Sequence, residues 1–108
     1  MRIARVIGTV TFTRRVENLK PGQWLIVDVL DDQAVAGLGV AAPRATAMPE
    51  SLVVFDELGA GVGQVIAVSE GREAAVPFHP QRVPIDAYCA AILDSIEWTQ
   101  RVEREVEV

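Results

Sequence analysis

The side chains that could do acid–base, nucleophilic or metal chemistry are scattered singly along this chain. The candidates are Asp28, Asp56, Glu57, His79 and Cys89. Catalysis needs a nucleophile, a base and an orienting group within hydrogen-bond reach, and no spacing among these residues predicts such a group. His79 stands among prolines and far from Cys89, so the pair lacks the spacing of a metal site. We therefore predict no enzyme activity, no cofactor and no metal. Asp28 is expected to be partnered or solvent-facing, His79 to be structural or solvent-facing, and Cys89 to be a small buried hydrophobic residue.

A glycine loop is the stretch around which the rest of the chain is interpreted. It consists of Gly59, Ala60, Gly61, Val62 and Gly63, followed by Gln64. Three alternate glycines tolerate positive φ and allow another backbone to approach closely. Phosphate-binding loops lead into a helix, whereas residues 64–68 continue as an apolar, strand-like run, which disfavours nucleotide binding. A plain hairpin turn and a loop that packs against another copy of the chain both remain open.

The elements that must position this loop read mostly as strands. Apolar and alternating patterns predict strands at 3–15, 23–30, 52–55 and 65–68, with 53–68 forming a hairpin around the loop. Gly8 within the first strand predicts a bend or bulge. Residues 69–75 could form one helical turn. Residues 86–91 look helical, with Asp86 as N-cap, and lead into a last strand at 92–98. The count favours a mainly β fold, a small, partly open five-stranded barrel with one or two short helical turns.

Composition bounds the function as well as the fold. The 108 residues suit a single domain, and the 50% hydrophobic content with only 6% aromatics predicts an aliphatic interior with apolar surface left for oligomerisation. The net charge of −5 disfavours nucleic acid as a partner. No apolar run approaches the length of a membrane span, so no membrane partner is expected. The single cysteine is compatible with a reducing cytoplasm, where we expect the protein to reside.

Four stretches, in order, resemble the EutN/CcmL family of pentameric vertex proteins from bacterial microcompartment shells. The stretches are 1–10, 25–27, 59–63 with 68–71, and 84–87 running to 92–94. The resemblance implies a five-stranded, oligonucleotide-binding-like barrel that forms a homopentamer, caps the five-fold corners of the shell and contacts hexameric shell proteins. It also implies that residues Gly59 to Gln64 lie near subunit contacts or the central opening. The barrel would occupy residues 1–98 and a charged tail 99–108.

Two departures from the family and one alternative function accompany this resemblance. Gln64 stands where the family commonly has Glu, which removes one charge per subunit. The loop at 31–51 is longer than usual and could contact a neighbour. The alternative is a barrel module that binds single-stranded nucleic acid or a small nucleotide by stacking bases on aromatic residues, although Arg14 and Arg15 form its only basic cluster.

Overall fold

The computed structural model describes residues 1–19, 21–30 and 50–97, and its five strands close into one barrel. The strands are β1 (Arg2–Val10), β2 (Gln23–Val29), β3 (Ser51–Asp56), β4 (Val65–Glu70) and β5 (Ala87–Leu93). Around the barrel their order is β1, β2, β3, β5, β4, and β4 pairs with β1 to complete the closure. Every pairing is antiparallel except that of β3 with β5. The predicted mainly β, five-stranded barrel is confirmed, and it is closed where a partly open one was expected.

β1 is shorter than predicted and carries a bulge. The strand ends at Val10, which pairs with Trp24 near the start of β2. The alternation of polar and apolar residues continues through 11–15, but β2 does not extend far enough to pair with these residues. The register with β2 shifts between Val6 and Gly8. Ile7 is the extra residue of this bulge and is 47% exposed. The irregularity predicted from Gly8 is therefore confirmed, whereas the strand boundary at residue 15 was wrong.

The predicted hairpin at 53–68 is wrong, although both of its strands exist. β3 pairs with β2 and β5, and β4 pairs with β1 and β5, so β5 lies between them in the barrel. A local apolar pattern predicts that a segment is extended but does not say which strand it will pair with. The connection at 57–64, which contains the glycine loop, therefore joins two strands that are not neighbours.

The helix predicted at 86–91 is also wrong. Residues Ala87–Leu93 form β5, and Asp86 precedes a strand rather than capping a helix. Ala87 and Cys89 face the barrel interior, where both are buried. Pairing with strands on both sides outweighs the weak helix propensity of the alanines. Of the strand predicted at 92–98, only Ile92 and Leu93 belong to β5, and residue 98 lies outside the described residues.

The core has two parts. The first is a mostly aliphatic cluster that fills the barrel. It consists of Ala4, Val6, Leu25, Val27, Val54, Ala60, Ile66, Val68, Ala87 and Cys89. A second cluster, the aromatic cluster, consists of Trp24, Phe55, Ala74, Phe78 and Ile85. Phe55 is fully buried and lies tilted against Trp24 and edge-on to Phe78, with ring centroids 4.9 and 5.9 Å away. Burying each such ring contributes about 2–3 kcal/mol.

A short helical segment covers the aromatic cluster. Helix α1 (Arg72–Ala75) follows β4 and continues into a 3-10 turn, Val76–Phe78, which confirms the helical turn predicted near 69–75. Ala74 and Phe78 are its buried residues. Of the predicted 31–51 loop, only Glu50 and Ser51 are described. The backbone carbonyl of Glu50 accepts the Val29 N–H at 3.0 Å, and Ser51 begins β3. Residues 31–49 and the tail 99–108 lie outside the described residues.

Candidate functional site

The glycine loop begins at a buried carboxylate that the sequence analysis considered only as an isolated candidate. Asp56 ends β3 and is only 2% exposed. Its Oδ1 accepts the Leu58 backbone N–H at 3.0 Å, and its Oδ2 accepts those of Gly59 and Ala60 at 2.9 and 2.8 Å. One side chain thus binds three consecutive backbone donors and bends the chain out of the strand.

Gln23 holds the other side of this carboxylate. Its side-chain Nε2 donates to Asp56 Oδ2 at 2.7 Å and to the carbonyl oxygen of Ala60 at 2.9 Å. Both amide hydrogens therefore have partners, and β2 is tied to the loop as well as to β3. Ala60 is 2% exposed and packs into the barrel core, so the first half of the loop closes one end of the barrel.

The ionisation of Asp56 follows from these contacts. Burial by itself would raise the pKa of the carboxyl group. The hydrogen bonds from the Leu58 and Ala60 backbone and from the Gln23 side chain outweigh it, so the pKa lies below its ordinary value of 3.8. Asp56 is therefore an anion at neutral pH, stabilised by donors from its own loop.

The glycines have different roles. Gly59 and Gly63 have φ of 87° and 92°, a region that side chains other than glycine adopt only with strain. Gly61 lies outside this region, and a Cβ added there would meet only the Gln64 Oε1, at 3.9 Å. The expectation that alternate glycines relieve positive φ is thus confirmed at two of the three positions, and Gly61 has room for a side chain within its own subunit.

The second half of the loop is tied to itself and to β1. The Gly61 N–H donates to Gln64 Oε1 at 2.7 Å, and the Gln64 N–H donates back to the Gly61 carbonyl at 3.1 Å. Gly63 donates to the Val6 carbonyl, and the Val6 N–H donates to the Gln64 carbonyl, both at 2.9 Å. These bonds attach the loop to β1 immediately before the bulge at Ile7.

The attached loop presents apolar side chains to solvent. Val62 at its tip is 68% exposed and Leu58 is 52% exposed, while Ile7 on the bulge is 47% exposed. Fixing a loop with this many hydrogen bonds while leaving its apolar side chains in water is typical of a surface that another protein covers. The arrangement can bind a protein surface.

The remaining candidate residues do not converge on one site. Asp28 accepts the Ser51 hydroxyl at 2.9 Å, and Glu57 accepts the Tyr88 hydroxyl at 3.0 Å. His79 follows the 3-10 turn and is exposed. These residues are partnered or solvent-facing, as the sequence predicted for Asp28 and His79.

One pair lies close together: Cys89 is 1% exposed, its thiol donates to the Ala91 carbonyl at 3.7 Å, and the Asp56 carboxylate lies nearby. Burial first, then the interaction with the negatively charged Asp56 carboxylate, raises the pKa of the thiol to about 12. A nucleophilic cysteine needs a lowered pKa, so this contact suppresses reactivity. The prediction that Cys89 is a small buried residue is confirmed.

Two further features are absent from the described part of the chain. Residues 1–19, 21–30 and 50–97 contain no cluster of three or more His, Cys, Asp or Glu side chains that could hold a metal ion. The helices among these residues are too short to cross a membrane.

Comparison with known proteins then gives the context of this loop. Residues 1–94 match the family model described as ethanolamine utilisation protein EutN/carboxysome. The chain is 35% identical over 101 residues to the carboxysome shell vertex protein CcmL of Synechococcus elongatus, covering 94% of this chain and 91% of that one. It is 31% identical over 97 residues to the microcompartment shell vertex protein GrpN of Rhodospirillum rubrum, covering 90% and 97%. The solved structure of GrpN, described as a pentameric microcompartment shell protein, superposes with a TM-score of 0.71 at 29% identity, over 92% of this chain and 100% of that one.

Proposed function

The chain belongs to the EutN/CcmL family, and from that membership we propose how it assembles and what it contacts. It is a structural shell protein that forms pentamers capping the five-fold vertices of a bacterial microcompartment, and it is not an enzyme. The observation that carries this function is the match along residues 1–94, together with the pentameric state of GrpN. Neither relative supports nucleic-acid binding, the alternative considered from the sequence.

The loop residues Gly59, Ala60, Gly61, Val62, Gly63 and Gln64 are the proposed subunit contact. A ring needs a head-to-tail interface in which one surface of a subunit meets a different surface of the next. The exposed Val62 and the room around Gly61 support this position, because an apolar tip on a fixed loop can enter a neighbour without unfolding its own barrel.

Gly61→Val tests this contact. The added side chain meets little within its own subunit, so the barrel should keep its melting temperature and circular dichroism spectrum, while the ring should dissociate at a protein concentration about tenfold higher or more. Mass photometry over a dilution series measures the ring, and Thr13→Val, which places the same side chain at another exposed position, serves as the control. A Gly61→Val ring as stable as the wild-type ring would exclude the loop from the interface.

The outer partners of the ring are proposed to be hexameric shell proteins, with neither nucleic acid nor membrane involved. Five-fold corners close a surface that six-fold tiles alone leave open. Mixing the protein with a hexameric shell protein from a related microcompartment should convert open sheets or tubes into closed particles, which electron microscopy would distinguish. Sheets and tubes that persist with equimolar vertex protein present would contradict the partnership.

The chain is further proposed to divide into a barrel domain, residues 1–98, and a charged tail, residues 99–108. The described barrel reaches its last strand at Leu93, which supports a boundary shortly after it. Deletion of residues 99–108 should leave the melting temperature of the barrel unchanged.

A further inference from the structure

We propose that Asp56, buried inside its own subunit, controls ring assembly by holding the glycine loop in the shape that a second copy of the chain binds. The proposal rests on the proposed function, because it takes the loop as the subunit contact. Asp56 lies behind the proposed contact surface and shapes that surface through its hydrogen bonds to the backbone of residues 58–60.

The hydrogen bonds of the loop's first half converge on the Asp56 carboxylate. Asp56 accepts three backbone N–H groups within four residues and one side-chain amide from β2. Removing the charge or one acceptor oxygen of this buried anion would therefore weaken several contacts together. The loop's first half has its shape because of this one side chain.

The exposed parts of the loop depend on this shape. Leu58 leaves the Asp56 turn pointing to solvent, and Ala60 enters the barrel core, so the segment between Ala60 and the β1 attachment is short. Val62 stands within that segment, between Gly61 and Gly63, whose N–H groups bond to Gln64 and Val6. The tip is therefore held on one side by Asp56 and on the other by the hydrogen bonds to β1. Loss of the Asp56 contacts would release the first of these two attachments.

The order of the loop in the free subunit affects the free energy of assembly. A loop that is already ordered in the free subunit loses less conformational freedom when a neighbour binds it, and a loop that must order on contact binds more weakly. Two glycines with positive φ, Gly59 and Gly63, add freedom to the unanchored loop. Asp56 therefore lowers the ordering cost of assembly without contacting the neighbour.

The test replaces the acceptor while keeping its shape. In Asp56→Asn the amide supplies one acceptor oxygen and turns an NH₂ group toward backbone N–H donors, so the turn at residues 58–60 should open. Two quantities are measured on the full chain: amide hydrogen exchange of Leu58, Gly59 and Ala60, and the protein concentration at which the ring dissociates. We expect about tenfold or faster exchange at those three amides, with the β2 amides unchanged, and dissociation at a concentration about tenfold higher.

Glu57→Gln is the matched control. It makes the same chemical change one residue later, at an exposed carboxylate whose partner is the Tyr88 hydroxyl. It should change neither the exchange of residues 58–60 nor the dissociation of the ring. If Asp56→Asn fails to fold, Gln23→Ala removes only one of the donors and the link to the Ala60 carbonyl, and should give a smaller change in the same direction.

Each outcome has a definite meaning. Unchanged exchange at residues 58–60 in Asp56→Asn would overturn the role of Asp56 in shaping the loop. Faster exchange with an unchanged dissociation concentration would overturn the connection to assembly. A wild-type protein that forms no ring at all would contradict the proposed function instead, and hydrogen exchange would still report on the loop by itself.

Discussion

At the scale of single residues, Asp56 carries an unusual combination of burial and charge. Carboxylates are rarely buried unless hydrogen bonds compensate the lost solvation, and here the loop and β2 supply the donors. The titratable groups beside it are the Cys89 thiol on β5 and, through charge, the Tyr88 hydroxyl. The pKa values of both are raised, so neither competes with Asp56 for ionisation at neutral pH.

This combination predicts a specific pH dependence. The folded-state pKa of Asp56 lies below 3.8, so its stabilisation is fully present above the unfolded-state pKa and is lost as the pH falls through the folded-state value. Urea unfolding should show wild-type protein more stable than Asp56→Asn by about 1–3 kcal/mol between roughly pH 5 and pH 8, with the difference shrinking below about pH 4. A difference that already disappeared near pH 6 would mean that burial, not hydrogen bonding, dominates the pKa.

The sequence predicts some residues around this carboxylate correctly and misses the role of Asp56 itself. The glycine loop and the burial of Cys89 could be predicted, because glycine spacing and a thiol within an apolar run are local signals. Asp56 was considered only as an isolated carboxylate. Its position three residues before Gly59 does match a turn in which an Asp side chain binds the following backbone, and that is the signal that could have found it. Its contact with Gln23 joins opposite residues of two paired strands that are far apart in the sequence, so it has no local signature.

At the scale of elements, the connection from β1 to β2 is fixed by close packing against the aromatic cluster. Gly22 immediately precedes β2, and a Cβ added there would lie 2.5 Å from Cε1 of Phe55. Phe55 is fully buried and packed against Trp24 and Phe78, so its ring has little room to move. Glycine is therefore needed at position 22 for space.

We therefore expect Gly22→Ala to destabilise the barrel by about 1–3 kcal/mol, because overpacking displaces a buried ring. Gly8→Ala is the matched control: nothing lies within 4 Å of a Cβ at that position, so the free energy of unfolding should change by less than about 0.5 kcal/mol. Chemical denaturation of both variants measures the difference. Equal stability of the two would show that the aromatic cluster adapts to an extra methyl group.

Some of the strands could be predicted from the sequence pattern and others could not. Strands β2, β3 and β4 were predicted close to their observed bounds, because β-branched runs between turn residues are strong local signals. The first five residues of β5 were mistaken for a helix, since alanine and cysteine gain their strand conformation from neighbours on both sides. The false hairpin has a different cause: two strands joined by a short glycine loop were expected to pair with each other.

At the scale of the whole molecule, the barrel leaves apolar side chains exposed on several sides. Those at least one third exposed include Met1, Ile7, Phe12, Val16, Val53, Leu58, Val62 and Val76. Composition alone could predict such an excess, but not the rotation that relates one copy to the next. The number of copies came from family resemblance and is supported by the pentameric GrpN structure.

The pentamer is the central claim, and the mass of the native particle tests it most directly. Native mass spectrometry at modest salt, repeated over a wide range of protein concentration, should show a dominant species of five chains, as in the pentameric relative. A particle that remained monomeric or dimeric throughout that range would contradict the assignment of this chain to a five-fold vertex, even with its barrel intact.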